Sequence, residues 1–446
     1  MNLLFYLLVF LLVLIVSSTT NKLLPFLPMP LIQILLGIGI GLCLPNNQYH
    51  LDTELFLALV IGPLLFREAQ EADITSILKH WRIVLYLIFP VIFVSTLSMG
   101  GLAHVLWVSL PLAACLAVGA ALGPTDLVAF ASLSERFTFP KRVSNILKGE
   151  GLLNDASGLV AFRVALIAWT TGTFSIAQAG ISLAISIVGG FAVGLITAFI
   201  NRSLHSFLLS VRATDIASEL LLDLSLPLLT FFIAEEIHVS GIIAVVVAGI
   251  LKASRFKKIN LLEAQVDTVT ETVWQTVTFM LNGSVFVILG MELEMIAEPI
   301  LKSAFYNKVL LLLSVFLLTF LLFVIRFIMI YGFYAFRIKK LHKSLDKYVK
   351  DMLLLTFSGV KGTVSIATIL LIPSNLEQEY PLLLFLVAGV TLVSFLTGLL
   401  VLPRLSEEKE PSKDQLMHIA ILNDVAMELE KDLENTKNKV PLYAAI

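Results

Sequence analysis

Lys148, Glu150, Asn154, Asp155 and Arg163 fall within one apolar run long enough to cross lipid. Ionisable side chains are costly in such a run, and by default they mark an ion or proton path. Glu150 and Asn154 are four residues apart and share one helix face, with Asp155 on its flank. If the helix begins near residue 146, Asp155 lies ~13 Å in, close to mid-membrane. A carboxylate at that depth can take up either a proton or a dehydrated hard cation, for which oxygen ligands are the right chemistry. The competing reading is a carboxylate locked in an ion pair with Arg163 or Lys148, and the default for intramembrane acids favours the ligand. For Glu150 the preference reverses, because Lys148 and Lys361 could both pair with it.

The other intramembrane charges lie beside helix breakers. Gly123-Pro124-Thr125-Asp126 closes one apolar run, and Lys361 lies within Ser358-Gly359-Val360-Lys361-Gly362-Thr363 in another. Arg326 falls inside a third, and Asp223 is more isolated. Pro124 has no amide hydrogen and clashes with the preceding turn, so its helix should unwind around 120–126. Gly359 and Gly362 allow the same around Lys361. At such breaks freed carbonyls can coordinate cations and half-helix dipoles need countercharge. Asp126 and Lys361 would supply that charge.

These residues need a frame of membrane helices. Hydrophobic residues make up 58% of the 446 and charged residues 14%, against about 25% charged in ordinary soluble chains. Mean hydropathy is +0.92. The chain therefore reads as an all-α polytopic membrane protein. Hydropathy gives thirteen spans, at roughly 3–16, 26–44, 53–66, 83–100, 109–133, 146–170, 176–200, 216–234, 238–252, 272–291, 308–336, 351–372 and 381–403. The breakable spans are the fifth and the twelfth. An odd offset between them means opposite orientation, which is the arithmetic of an inverted repeat.

Alternate connections hold nineteen basic residues, from Lys22 through Arg67, Arg142 and Lys258 to Lys350, while the opposite set holds only Lys302 and Lys308. Positive residues resist translocation, so the basic side is cytoplasmic, the N-terminus outside and the C-terminus inside. Residues 1–403 form the transmembrane domain. Residues 404–446 form a short charged cytoplasmic tail, where Ser412 and Gln415 resemble a capping box ahead of an amphipathic helix.

Several function classes drop out. A net charge of −2 gives no footprint for nucleic acid. Cys43 and Cys115 form no CxxC, so neither a disulfide framework nor a thiolate metal site is readable. No His-Glu-x-x-His and no Walker motif occurs. The seven histidines fall mostly in loops or at span ends. An enzyme is not expected, nor is a cofactor.

Three stretches resemble signatures of the first monovalent cation:proton antiporter family, which includes the sodium/hydrogen exchangers. They are Gly123-Pro124-Thr125-Asp126-Leu127-Val128-Ala129, Gly149-Glu150-Gly151-Leu152-Leu153-Asn154-Asp155-Ala156 and Ser358-Gly359-Val360-Lys361-Gly362-Thr363-Val364-Ser365. Residues 240–249 and 279–290 agree as well, and the likeness runs in order from about 24 to 403. The resemblance implies a thirteen-helix homodimer with crossing, unwound spans 5 and 12. It implies Asp155 as the carboxylate that binds sodium or a proton, with Asn154 beside it, Thr125 giving ligand oxygen, and Asp126 counted with the ion- and proton-binding residues while balancing helix ends. An asparagine–aspartate pair goes with electroneutral exchange. Glu150 would pair with the basic residue of the glycine-flanked stretch. That residue is usually arginine in the family, and Lys361 keeps the charge but loses the planar fork, so a looser pair is expected.

The expected function is antiport of a monovalent cation (sodium, with lithium or potassium as alternatives) against protons. It would run by alternating access, with both ligands competing for Asp155, in a bacterial inner membrane and in the service of pH homeostasis. A potassium/proton antiporter and a passive cation channel are the alternatives. A channel would need a continuous polar path, where the sequence shows a few acids in apolar helices.

Overall fold

A computed structural model describes residues 3–24, 27, 29–43, 53–72, 74–126, 129–130, 137–172, 176–211, 215–253, 261–302, 307–341, 348–372 and 380–408. Nearly all are helical, apart from a two-residue antiparallel pairing of Phe137–Thr138 with Glu407–Glu408. Among the described residues six helices are long and apolar enough to cross a membrane: Trp81–Leu106, Gly180–Leu208, Ile216–Glu236, Thr268–Glu294, Lys308–Arg337 and Tyr380–Leu405. Shorter apolar helices include Met29–Cys43, Leu112–Ala121, Ser157–Thr170 and Gly241–Ala253. Residues 409–446 of the tail, with Ser412 and Gln415, lie outside the described residues.

Proline shapes several of these helices through its missing amide. Pro90 falls in a widened turn at Leu87–Val91, and a second such turn at Leu57–Ile61 ends just before Gly62-Pro63. The helix Lys141–Thr171, which carries Glu150, Asn154 and Asp155, starts directly after Pro140. Helix Ile216–Glu236 is capped by Asp215, whose carboxylate accepts from the Ser218 amide at 2.9 Å and from its hydroxyl. Those two bonds hold the Asp215 carboxyl below its ordinary range.

One large apolar core joins most helices, and Leu122, Ile146, Phe162, Phe286, Leu355 and Val387 are among its members. Val193, Ala234, Val239 and Ala244 make a separate cluster between helices Ile176–Ser210, Ile216–Glu236 and Gly241–Ala253. Large apolar side chains also face outward: Ile181, Ile185, Val188, Phe191 and Phe199 on helix Ile176–Ser210 are all more than half exposed. Such a stripe is a liability in water and the ordinary surface of a helix in lipid.

Candidate functional site

Helix Leu112–Ala121 ends just before the proline, and residues 123–126 are non-helical. Helical backbone is present again at Ala129 and Phe130. Asp126 starts that segment: its Oδ1 accepts the Ala129 amide at 2.9 Å and its carbonyl the Phe130 amide at 3.0 Å. In the later stretch, helices Val349–Phe357 and Thr363–Leu370 are separated by residues 358–362. The two interruptions touch, with the Asp126 amide donating to the Val360 carbonyl at 3.1 Å.

Each interruption supplies the charge that the other needs. The Lys361 ammonium donates to the Gly123 carbonyl at 2.9 Å and to the Pro124 carbonyl, just past the end of helix Leu112–Ala121. A cation suits the negative end of a helix dipole. The Asp126 carboxylate lies against Gly362, immediately before helix Thr363–Leu370, where an anion is favoured. A Cβ at Gly362 would fall 1.9 Å from Asp126 Oδ2, so this approach requires glycine. Ser394 holds the backbone beside it by accepting the Lys361 amide at 3.1 Å.

Beside these two stretches lies a chain of polar groups. Arg326 grips Glu150 with both arms of its fork, Nη1–Oε1 at 2.7 Å and Nη2–Oε2 at 2.8 Å, and its Nε donates to the Leu355 carbonyl at 2.9 Å. Glu150 is 1% exposed and Arg326 3%. Thr125 Oγ1 donates to Glu150 Oε1 at 3.0 Å and accepts from Asn154 Nδ2 at 2.6 Å. Asn154 Nδ2 also reaches the Thr125 carbonyl at 3.1 Å. Its other atom, Oδ1, is buried with no hydrogen-bond partner. Asp155 is the next residue on this helix; its side chain lies outside the described residues.

The family profile for "sodium/hydrogen exchanger, transmembrane" matches residues 7–406. The chain belongs to that family. A Bacillus pumilus chain named a sodium, potassium, lithium and rubidium/H(+) antiporter is 34% identical over 431 residues, 95% of this chain and 62% of that one. Its Bacillus subtilis namesake is 34% identical over 414 residues, with coverage of 91% and 62%. This chain thus spans less than two thirds of the length of those two relatives. An Escherichia coli chain named a Na(+)/H(+) exchanger is 32% identical over 428 residues, covering 92% and 77%. Among solved structures, the sodium proton antiporter MjNhaP1 from Methanocaldococcus jannaschii at pH 8 superposes with a TM-score of 0.67 over 91% of this chain and 98% of that one. At 19% identity that likeness speaks for the fold.

Thr125, Asp126, Glu150, Asn154, Arg326 and Lys361 are thus brought together around the two interruptions. The expected partner of Glu150 needs correction: it is Arg326, and neither Lys148 nor Lys361. A planar guanidinium matches both carboxylate oxygens, and Gly359 makes room for it, since a Cβ there would fall 2.3 Å from Arg326 Nε. Lys361 is instead engaged with the Gly123 and Pro124 carbonyls, so its loss of the arginine fork does not loosen Glu150. Of the two bases weighed as partners for Asp155, Lys148 is exposed and Arg163 meets Glu235 at 3.7 Å.

Asp223 does not join this group. It is buried and held by Trp274 Nε1 at 2.6 Å and Lys252 Nζ at 2.8 Å, which ties three helices together. Two nearby residues escaped the sequence reading. Ser394 carries no signal beyond its type. Glu68, on helix Gly62–Glu71, lies within electrostatic range of Asp126 and Lys148. Its neighbour Arg67 is taken up by Glu71 one turn on, at 2.6 Å, and by Glu271.

Proposed function

We infer that this protein is a secondary antiporter that exchanges a monovalent cation for protons at Asp155, with sodium as the main substrate and potassium as the second reading. The observation that carries it is the bare, buried Oδ1 of Asn154, adjoining Asp155 in sequence, amid charges that are otherwise matched. Glu150 is bound to Arg326, while Asp126 and Lys361 serve helix ends. Asp155, beside that oxygen in sequence and mid-way along an apolar helix, is the acid we assign to the cargo. Asn154 Oδ1 and Thr125 oxygen complement it as neutral ligands, a donor set suited to a hard, singly charged cation. Loading with sodium and loading with a proton exclude each other, which is coupling by competition. Alternating access follows if the crossing and the helix Lys141–Thr171 move together and expose Asp155 to one side at a time.

The names of the Bacillus relatives support a site that accepts several alkali cations. The basic loops favour a cytoplasmic C-terminus and an outer N-terminus in a bacterial inner membrane. A homodimer is the assembly the family resemblance suggests. Sodium and the proton are cargo, and the exchange calls for no cofactor. The test is dequenching of a pH dye in proteoliposomes loaded in turn with sodium, lithium and potassium. A carrier moves protons against the imposed cation gradient. Simple dissipation of both gradients would indicate a channel and overturn the proposal.

A further inference from the structure

Arg163 lies on the helix of Asn154 and Asp155, eight residues past the acid and so ~12 Å along it, toward the outer face in the orientation that the basic loops favour. Its Nη2 stands 3.7 Å from Glu235 Oε2. Glu235 ends a different helix, Ile216–Glu236, and its neighbours Ala234 and Val239 pack with Val193 and Ala244 apart from the main core. Among the described residues, no other ion pair joins the cargo-bearing helix to that group.

The acid is held in position by the turn that follows it. Val239 N bonds to the Ala234 carbonyl at 3.0 Å and His238 N to the Glu235 carbonyl at 2.9 Å, with His238 left-handed at φ 58°. That is a Schellman stop, with histidine where glycine is usual. Beyond the turn, Glu235 Oε1 accepts the amide of Gly241, first residue of the next helix, at 3.2 Å. One carboxylate oxygen is thereby fixed on a helix N-terminus and the other faces Arg163. Arg163 reaches a preset anion and does not have to order it.

We propose that Arg163 and Glu235 form an outer latch, an ion pair that favours the state in which the outer side of the exchanger is closed. The latch rests on the antiport reading. The two side chains are 46% and 33% exposed, so the pair is weak, and its bias on a two-state population is up to about fivefold. Weakness suits the task. A gate that opens in every cycle must not trap one state, and a buried bidentate grip like that of Arg326 on Glu150 would do so.

The test uses the full chain in right-side-out and inside-out membrane vesicles, with the sodium KM measured from each face. Glu235→Gln removes the charge but keeps an acceptor for the Gly241 amide. With the latch removed, this variant populates the outward-open state more. The external KM should then fall by up to about fivefold while the cytoplasmic KM stays within about twofold. Arg163→Gln should move the external KM the same way, and the exchange Arg163→Glu with Glu235→Arg should return it toward wild type. An external KM unchanged in both single variants, or shifts of equal direction on both faces, would overturn the latch. Wild-type vesicles without coupled exchange would instead overturn the antiport reading on which it rests.

Discussion

Asn154 and Asp155 differ by one atom group, yet their tasks in the site diverge. The amide donates to Thr125 and leaves one buried oxygen bare, whereas an acid can exchange a proton for a cation. Asp155→Asn should therefore abolish sodium-driven proton flux while the purified protein melts as wild type does. Flux at the wild-type level would refute Asp155 as the carrier. Glu150 has a different part, because its charge is spent on Arg326. Removing either partner leaves a buried charge uncompensated, at a cost of about 3–5 kcal/mol. Arg326→Gln and Glu150→Gln should each lower the melting temperature in detergent, and the double variant should lose less than the two losses added together. Additive losses would mean that the two groups act independently.

The places where helices Leu112–Ala121 and Val349–Phe357 stop were legible in the sequence because their causes are local. Pro124 and the pair Gly359 and Gly362 mark those places, and Asp126 and Lys361 are the charged residues the sequence offers beside them. The partner of Glu150 was not legible. Arg326 is distant in sequence, and its access depends on the missing side chain of Gly359, a fact of packing between three helices. Periodicity reports which face a residue occupies but not which base on another helix reaches it. Glycine at 362 tests the crossing directly. Gly362→Ala would drive a methyl group into the Asp126 carboxylate, and an overpacked core position costs about 1–3 kcal/mol. The variant should melt earlier and exchange poorly. Gly39→Ala is the matched control, since nothing lies within 4 Å of its Cβ and the residue is helical. Equal behaviour of the two would show that the close approach of Asp126 to Gly362 has no functional weight.

For the molecule as a whole, the proposed exchange at Asp155 carries an expectation for how transport responds to voltage. Glu150 with Arg326 forms one neutral pair, and Asp126 and Lys361 serve opposing helix ends. If Asp155 alone changes its ligand, the moving unit is neutral with sodium bound and neutral with a proton bound. One cation then leaves for each proton that enters. The membrane potential, worth about 2.3 kcal/mol per charge at 100 mV, does no work on such a cycle. The sodium gradient at which flux reverses should be the same with and without a potassium–valinomycin potential. Asp126 is the residue that could upset this, because a second proton carried there would make the cycle two for one. Its bonds argue against that role: Oδ1 holds the Ala129 amide and Oδ2 lies against Gly362 at a helix start, so cycling a proton would disturb the crossing itself. Asn154→Asp supplies the contrast by adding a second acid beside the first, and its reversal point should move with voltage. A wild-type reversal point that already moves would sink the one-for-one assignment even with antiport established.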